Sequence, residues 1–186
     1  MDPGGETAVV RAAQAGDEAA FGTIVRSYQR AVYRVAYGFT RNAADADDLA
    51  QETFLRAWRS LGSFRAGEPL YPWLARIATN LAISLHRRRR RRPEQSIEPL
   101  VEAGMQWGVE DDPADHVARR ERDERLEAAL AGLSEDHRAV LVLRAVEDLS
   151  YAEIATVLGV PPGTVMSRLA RARTELKKRL EGGSGG

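Results

Sequence analysis

The segment from Leu149 to Arg173, LSYAEIATVLGVPPGTVMSRLARAR, constrains this chain more than any other. It reads as two short helices about a tight turn. Ser150 and Glu153 stand at the spacing of a capping box, in which each side chain satisfies an orphan amide at a helix start. Ile154, Ala155 and Leu158 follow at helical spacing. Gly159 falls where the chain must turn, since glycine enters left-handed backbone space without steric cost. Pro162 suits the first turn of a second helix, where its missing N–H is no loss. Val165, Leu169, Ala172 and Leu176 continue as the buried stripe of that helix, leaving Thr164, Ser167, Arg168 and Arg171 on its other faces. A plain helical hairpin with a solvated basic face would share much of this pattern. The small Ala155, the Gly159 turn and the basic side chains after it favour a DNA-binding helix-turn-helix, whose second helix lies in the major groove.

The formal net charge of +0 hides a segregation of charge. Residues 1–92 hold 15 Lys+Arg against 9 Asp+Glu, residues 93–117 hold 7 acids and no Lys or Arg, and residues 118–186 hold 12 bases against 11 acids. Within the last stretch, residues 163–180 carry 6 bases and 1 acid. Two basic surfaces separated by an acidic connector suit two contacts with a polyanion. The chain of 186 residues contains no cysteine, which excludes disulfides, thiolate metal sites and thiol redox chemistry. No apolar run approaches the ~20 residues of a membrane span, and the N-terminus lacks a basic-then-apolar signal pattern, so a cytosolic protein without membrane insertion is expected.

Helical periodicity recurs along the chain, whereas period-two alternation does not. Asp17 caps a helix with apolar residues at Phe21, Ile24, Val25, Tyr28, Val32, Val35, Ala36 and Phe39. Asn42 caps the next, whose first turn holds Asp45, Asp47 and Asp48 against the positive end of the helix dipole. That helix runs through Leu49, Phe54 and Trp58 to about Ser60, and a loop spans Gly62 to Pro69. Pro72 opens a helix with Leu74, Ile77, Ala78, Leu81 and Leu85 as its core stripe, ended by the arginines Arg87 to Arg92 before Pro93. Residues 93–117, with 3 prolines and 2 glycines among the acids, read as a linker. A second helical unit starts near Ala118, and Ser134 caps a helix carrying Val140, Leu141 and Leu143. Residues 182–186 resemble a glycine linker of the kind used in fusions and are left out of the fold. The expected fold is all-α: two small helical domains, 1–92 and 118–181, joined by a flexible acidic linker at 93–117.

On the helix begun by Pro72, the side chains Trp73, Arg76, Asn80, Ser84 and Arg87 fall on one strip, ~120° round from the apolar stripe. Phe64, Arg65 and Tyr71 lie in or beside the preceding loop. An aromatic face, cations and an amide are what an unpaired base needs: a stacking partner, a backbone counter-charge and an edge reader. The alternative is that Tyr71 and Trp73 complete the core, as buried tryptophans commonly do. The acidic helix start from Asp45 to Glu52 is a poor surface for DNA and points to a protein partner, though dipole compensation alone accounts for Asp45 and Asp47. His86, His116 and His137 show no metal spacing and no partnered nucleophile, and are expected at the surface. No cofactor, metal or catalytic residue is expected.

These residues resemble the extracytoplasmic-function (group 4) sigma factors of bacterial RNA polymerase. Asp45 to Trp58 (DADDLAQETFLRAW) is similar to the family's region 2.2, Trp73 to Ala82 with the following arginines to regions 2.3 and 2.4, and Leu149 to Arg173 to region 4.2. The resemblance implies two helical domains that bind core polymerase and direct it to promoters. Asp45, Asp48, Gln51, Glu52, Phe54 and Arg56 would face the polymerase. Phe64, Arg65, Tyr71, Trp73, Arg76, Asn80, Ser84, Arg87 and Arg88 would open and hold the −10 element. Thr164, Met166, Ser167, Arg168, Ala170, Arg171 and Arg173 would lie at the −35 duplex. The acidic linker would thread toward the polymerase channels, and an anti-sigma factor is a further partner the resemblance admits. Met166 and Ala170 stand where members often have a basic and a larger side chain, Ser84 where an acid is frequent, and Leu70 where an aromatic is usual. The competing reading is a dimeric helix-turn-helix regulator acting without stable polymerase binding, which leaves the aromatic–arginine strip unused.

Overall fold

A computed structural model of the chain describes residues 3–91 and 124–182. The acidic linker, Arg92, His116, the start near Ala118 and the residues after Gly182 lie outside them. The first unit comprises α1 (Pro3–Gln14), α2 (Glu18–Thr40), α3 (Ala43–Ser60), a 3-10 turn (Leu61–Ser63) and α4 (Leu70–Arg91). The second comprises α5 (124–131), α6 (Glu135–Ala145), α7 (Tyr151–Leu158) and α8 (Pro162–Gly182). Among the described residues there is no strand, and a lone bridge pairs Ala66 with Glu68.

The caps fall where residue chemistry puts them. The Asp17 carboxylate accepts the Ala20 N–H at 3.0 Å, the Asn42 amide oxygen accepts Asp45 N–H at 3.0 Å, and the Ser134 hydroxyl accepts His137 N–H at 3.3 Å. α4 begins two residues earlier than expected, at Leu70. Pro72 still sits in its first turn, where backbone N–H groups have no intrahelical partner. α8 runs on through Gly182, one residue into the stretch read as a linker. α1 was not anticipated; it packs on α2 through the buried Val10 and Ala13.

α2, α3 and α4 enclose Ile24, Val32, Val35, Leu49, Ala57 and Leu74. The second unit closes over Leu133, Val140, Leu143, Ile154, Val165 and Leu169. α6 is buried at every residue from Arg138 to Leu143. A helix buried all round has neighbours on more than one side, and α6 packs on α7 and α8 within its own unit and on α2 and α4 of the other.

The two units are therefore docked, which the sequence did not foretell. At Gly38 a Cβ would lie 2.7 Å from Val142 Cγ1, so the two helices meet at this spacing only because the side chain is absent. The buried Arg138 donates from Nη1 to Phe39 O at 3.0 Å, and from Nε and Nη2 to Leu130 O at 3.0 and 2.5 Å. Those carbonyls lie in the last turns of α2 and α5, so one cation faces the negative ends of two helix dipoles, one from each unit. Beyond α6, the Glu147 side chain is only 3% exposed; Arg34 grips it through a two-pronged ion pair at 2.7 and 2.9 Å, and the Tyr71 hydroxyl donates to it at 2.6 Å.

Candidate nucleic-acid interface

The helix-turn-helix forms as its residues dictate. The Ser150 hydroxyl accepts Glu153 N–H at 3.3 Å while Ser150 N–H donates to the Glu153 carboxylate at 2.8 Å, completing the capping box. Hydrogen bonding to the carboxylate from the Ser150 side chain, and then from the Ser150 backbone N–H, holds the Glu153 carboxyl below the usual carboxylate range. Gly159 adopts φ +65°, and its N–H closes α7 on Ala155 O. On α8, Val165, Leu169 and Ala172 face inward. Met166, Ser167, Ala170, Arg171 and Arg173 are exposed, and Thr164 is half-buried. Arg168 lies at the margin, where its Nη2 meets Asp136 Oδ2 at 2.7 Å across the start of α6. Any DNA contact by Arg168 competes with that ion pair.

On α4, Arg76, Asn80, Ser84, Arg87 and Arg88 are all exposed, and Trp73 is half-buried at the head of the same strip. Two aromatics expected beside them are placed otherwise. Phe64 is 7% exposed, with its ring 5.0 Å from Trp73, so it floors the tryptophan and does not face solvent. Tyr71 is turned some 160° from Trp73 by the helical period; it stacks on Tyr28 at 6.0 Å and donates to Glu147. Burial, and then the Glu147 carboxylate, keep its hydroxyl protonated far above the ordinary phenol range. Arg65 is exposed, 3.9 Å from Glu68. Arg87 reaches Glu135 at 2.6 Å, so the far end of the strip also touches the second unit.

On α3, Asp48 and Gln51 are exposed and Glu52 pairs with Arg56 at 2.7 Å. Asp45 is drawn to Arg89 at 2.6 Å. Phe54, expected on this face, is 8% exposed and belongs to the core, because the helical period carries it to the side of Ala50 and Ala57. Trp58 is 36% exposed with its ring 4.8 Å from Phe21. The apolar member of the outer face is Leu55, 51% exposed between the polar residues. The sequence signal was present: a leucine three and four residues beyond Glu52 and Gln51 sits on the polar side of an amphipathic helix.

His137 is not a free surface residue. Its Nδ1 lies 2.8 Å from Glu175 Oε2 and joins α6 to α8. Hydrogen bonds from Arg179 and His137 hold the Glu175 carboxyl below its ordinary range. Among the described residues no cluster of acids or histidines could hold a metal, and no helix is long and apolar enough to cross a membrane.

Comparison with known proteins matches residues 24–92 to Sigma-70 region 2 and residues 123–176 to Sigma-70, region 4. The RNA polymerase sigma-H factor of Pseudomonas aeruginosa is 38% identical over 178 residues, covering 93% of this chain and 92% of that one. The ECF RNA polymerase sigma factor SigW of Bacillus subtilis is 34% identical over 181 residues, covering 92% and 94%. Among solved structures, CnrH in complex with the cytosolic domain of CnrY superposes with a TM-score of 0.71 at 28% identity, over 96% of this chain and 98% of that one. The sigma factor RpoE of Bartonella quintana, in complex with the anti-sigma factor NepR, gives 0.65 at 29% identity, over 87% and 96%.

Proposed function

The chain belongs to the extracytoplasmic-function sigma factors of the sigma-70 family, and from that premise we propose how it directs RNA polymerase to promoters. The observation that carries the reading is the order of the two family regions along one chain, each with exposed side chains suited to nucleic acid: the strip on α4, whose Arg87 end pairs with Glu135 of the second unit, and the outer face of α8. The family is regulatory and non-enzymatic, and its members work with the polymerase in the cytoplasm.

The outer face of α8 docks on the −35 duplex, where Arg171 and Arg173 neutralise phosphates while Ser167 and Met166 face base edges. Thr164, Arg168 and Ala170 border that contact. The first unit takes an unstacked base of the −10 element against Trp73, with Arg76, Arg87 and Arg88 on the backbone and Asn80 and Ser84 as edge readers. Phe64 supports Trp73 from below, and Arg65 projects from the loop beside it. Unstacking costs a few kcal/mol per step and stacking returns about 1–3 kcal/mol per base. The exchange is near balance, so polymerase contacts must tip it. Asp48, Gln51, Glu52 and Arg56 supply the polar part of those contacts, and Leu55 takes the apolar place first given to Phe54. An anti-sigma factor is proposed as a further partner, by analogy with the Bartonella relative.

Reconstitution tests the reading. The chain mixed with core polymerase should form a stable complex that starts transcription at defined positions and protects two separated elements upstream. A chain that forms no such complex, or a complex with no preferred start, would overturn it.

A further inference from the structure

α1 precedes every surface assigned above, yet it reaches the segment that carries Phe64 and Arg65 from both ends. The Gln14 side-chain amide donates to Leu61 O at 2.9 Å and to Phe64 O at 2.7 Å. Leu61 O also accepts Phe64 N–H at 3.0 Å, so Gln14 locks the 3-10 turn at the point where the backbone becomes extended. At the other end, one Glu6 carboxylate oxygen accepts Leu70 N–H at 3.1 Å, and the other accepts the Tyr28 hydroxyl. Leu70 is the first residue of α4 and has an orphan amide at the positive end of the helix dipole. Glu6 therefore caps α4 from a different helix. Residues 6 and 14 are about 12 Å apart along α1, and between their two grips the chain has only a local turn, with Glu68 N–H on Arg65 O at 3.1 Å and Gly67 at φ +105°.

We propose that Gln14 and Glu6 are positioning residues for −10 opening: α1 braces segment 61–70 and thereby seats Phe64 beneath Trp73 and aims Arg65. Burying Val10 and Ala13 would be enough to attach α1 to the bundle. Spending both donors of one amide on carbonyls three residues apart fixes where the loop leaves the turn and in which direction. Both amide hydrogens are needed, so a carboxylate of the same shape cannot substitute. The inference rests on the −10 reading given above.

The test uses the full chain as Gln14→Glu, Glu6→Ala and Glu6→Gln, with Trp73→Ala in parallel. Hydrogen exchange reads the brace without reference to DNA: Gln14→Glu should speed exchange within 61–70 and leave α2 and α3 unchanged. On core polymerase, Gln14→Glu and Glu6→Ala should lower open-complex formation about tenfold, the effect of ~1.4 kcal/mol, within the range of one or two net hydrogen bonds. Affinity for core and for duplex −35 DNA should stay within about twofold. Glu6→Gln keeps an acceptor for Leu70 N–H and should recover most of the loss. Unchanged exchange in 61–70 overturns the brace. Raised exchange with normal opening, while Trp73→Ala is impaired, overturns the positioning role. Normal opening by Trp73→Ala overturns the −10 reading beneath it, and equal loss of core, −35 and opening functions reduces α1 to a structural part.

Discussion

Arg138 shows what a single buried charge requires. Its guanidinium is surrounded by backbone carbonyls at two helix ends, so an apolar replacement cannot answer the groups it leaves behind. Arg138→Leu should lower stability by about 2–4 kcal/mol in urea unfolding, since hydrogen bonds from a charged group are worth roughly 1.5–3 kcal/mol each. At Glu153 the direction of the pH effect follows from its depressed carboxyl. Its contribution is present above the ordinary value of 4.5 and is lost as the pH falls through the lower folded value. Glu153→Gln keeps an acceptor for Ser150 N–H but no charge, so the stability difference between it and the native chain should narrow as a pH–stability curve descends below 4.5. The capping role of Glu153 was legible because a capping box is local. That of Arg138 was not, because the carbonyls it serves belong to residues 8 and 99 positions away.

Amphipathic period placed the elements well and their second neighbours poorly. The strip from Trp73 to Arg87 and the outer face of α8 were both readable, since each is the complement of a clear apolar stripe. Trp73→Ala should spare duplex −35 binding and impair opening at −10, with footprinting and permanganate reactivity as the separate readouts. Arg171→Ala should weaken −35 binding and reduce the slope of log K against log salt by about one unit; an unchanged slope removes Arg171 from the phosphate contacts. Phe54, which the resemblance put on the polymerase face, turns into the core, while Trp58 one turn on is exposed against Phe21, because the rotation of α3 against its partners is not written in its own sequence. α6 posed the opposite difficulty: its Val140–Leu143 run has no polar side to read, as expected of a helix covered by both units.

Across the whole molecule, the docked arrangement and the proposed reading of two separated promoter elements make opposing demands. Glu147 and Glu135 of the second unit hold Tyr71 and Arg87 at either end of α4, while Arg138 and the Gly38–Val142 contact bind α2 to α6. Arg87 can turn to the −10 backbone only when its ion pair with Glu135 parts, so we expect promoter reading to loosen these docking contacts. Among them the Glu147 cluster is the most sensitive, because a carboxylate only 3% exposed is tolerated there by virtue of Arg34 and Tyr71. Glu147→Gln removes the charge with little change of shape and leaves Arg34 without its counter-ion. A loss of about 3 kcal/mol in the docked state would shift its balance with the open state more than a hundredfold. With no native cysteine to interfere, dyes can be placed on cysteines introduced at Gln29 and Lys178, one exposed position in each unit. Energy transfer should be high in the free chain, lower in Glu147→Gln, and low in both once polymerase and promoter DNA are bound. Equal transfer in the two free proteins would show that the remaining contacts of α2 and α4 with α6 and α7 hold the units together without help from the Glu147 cluster.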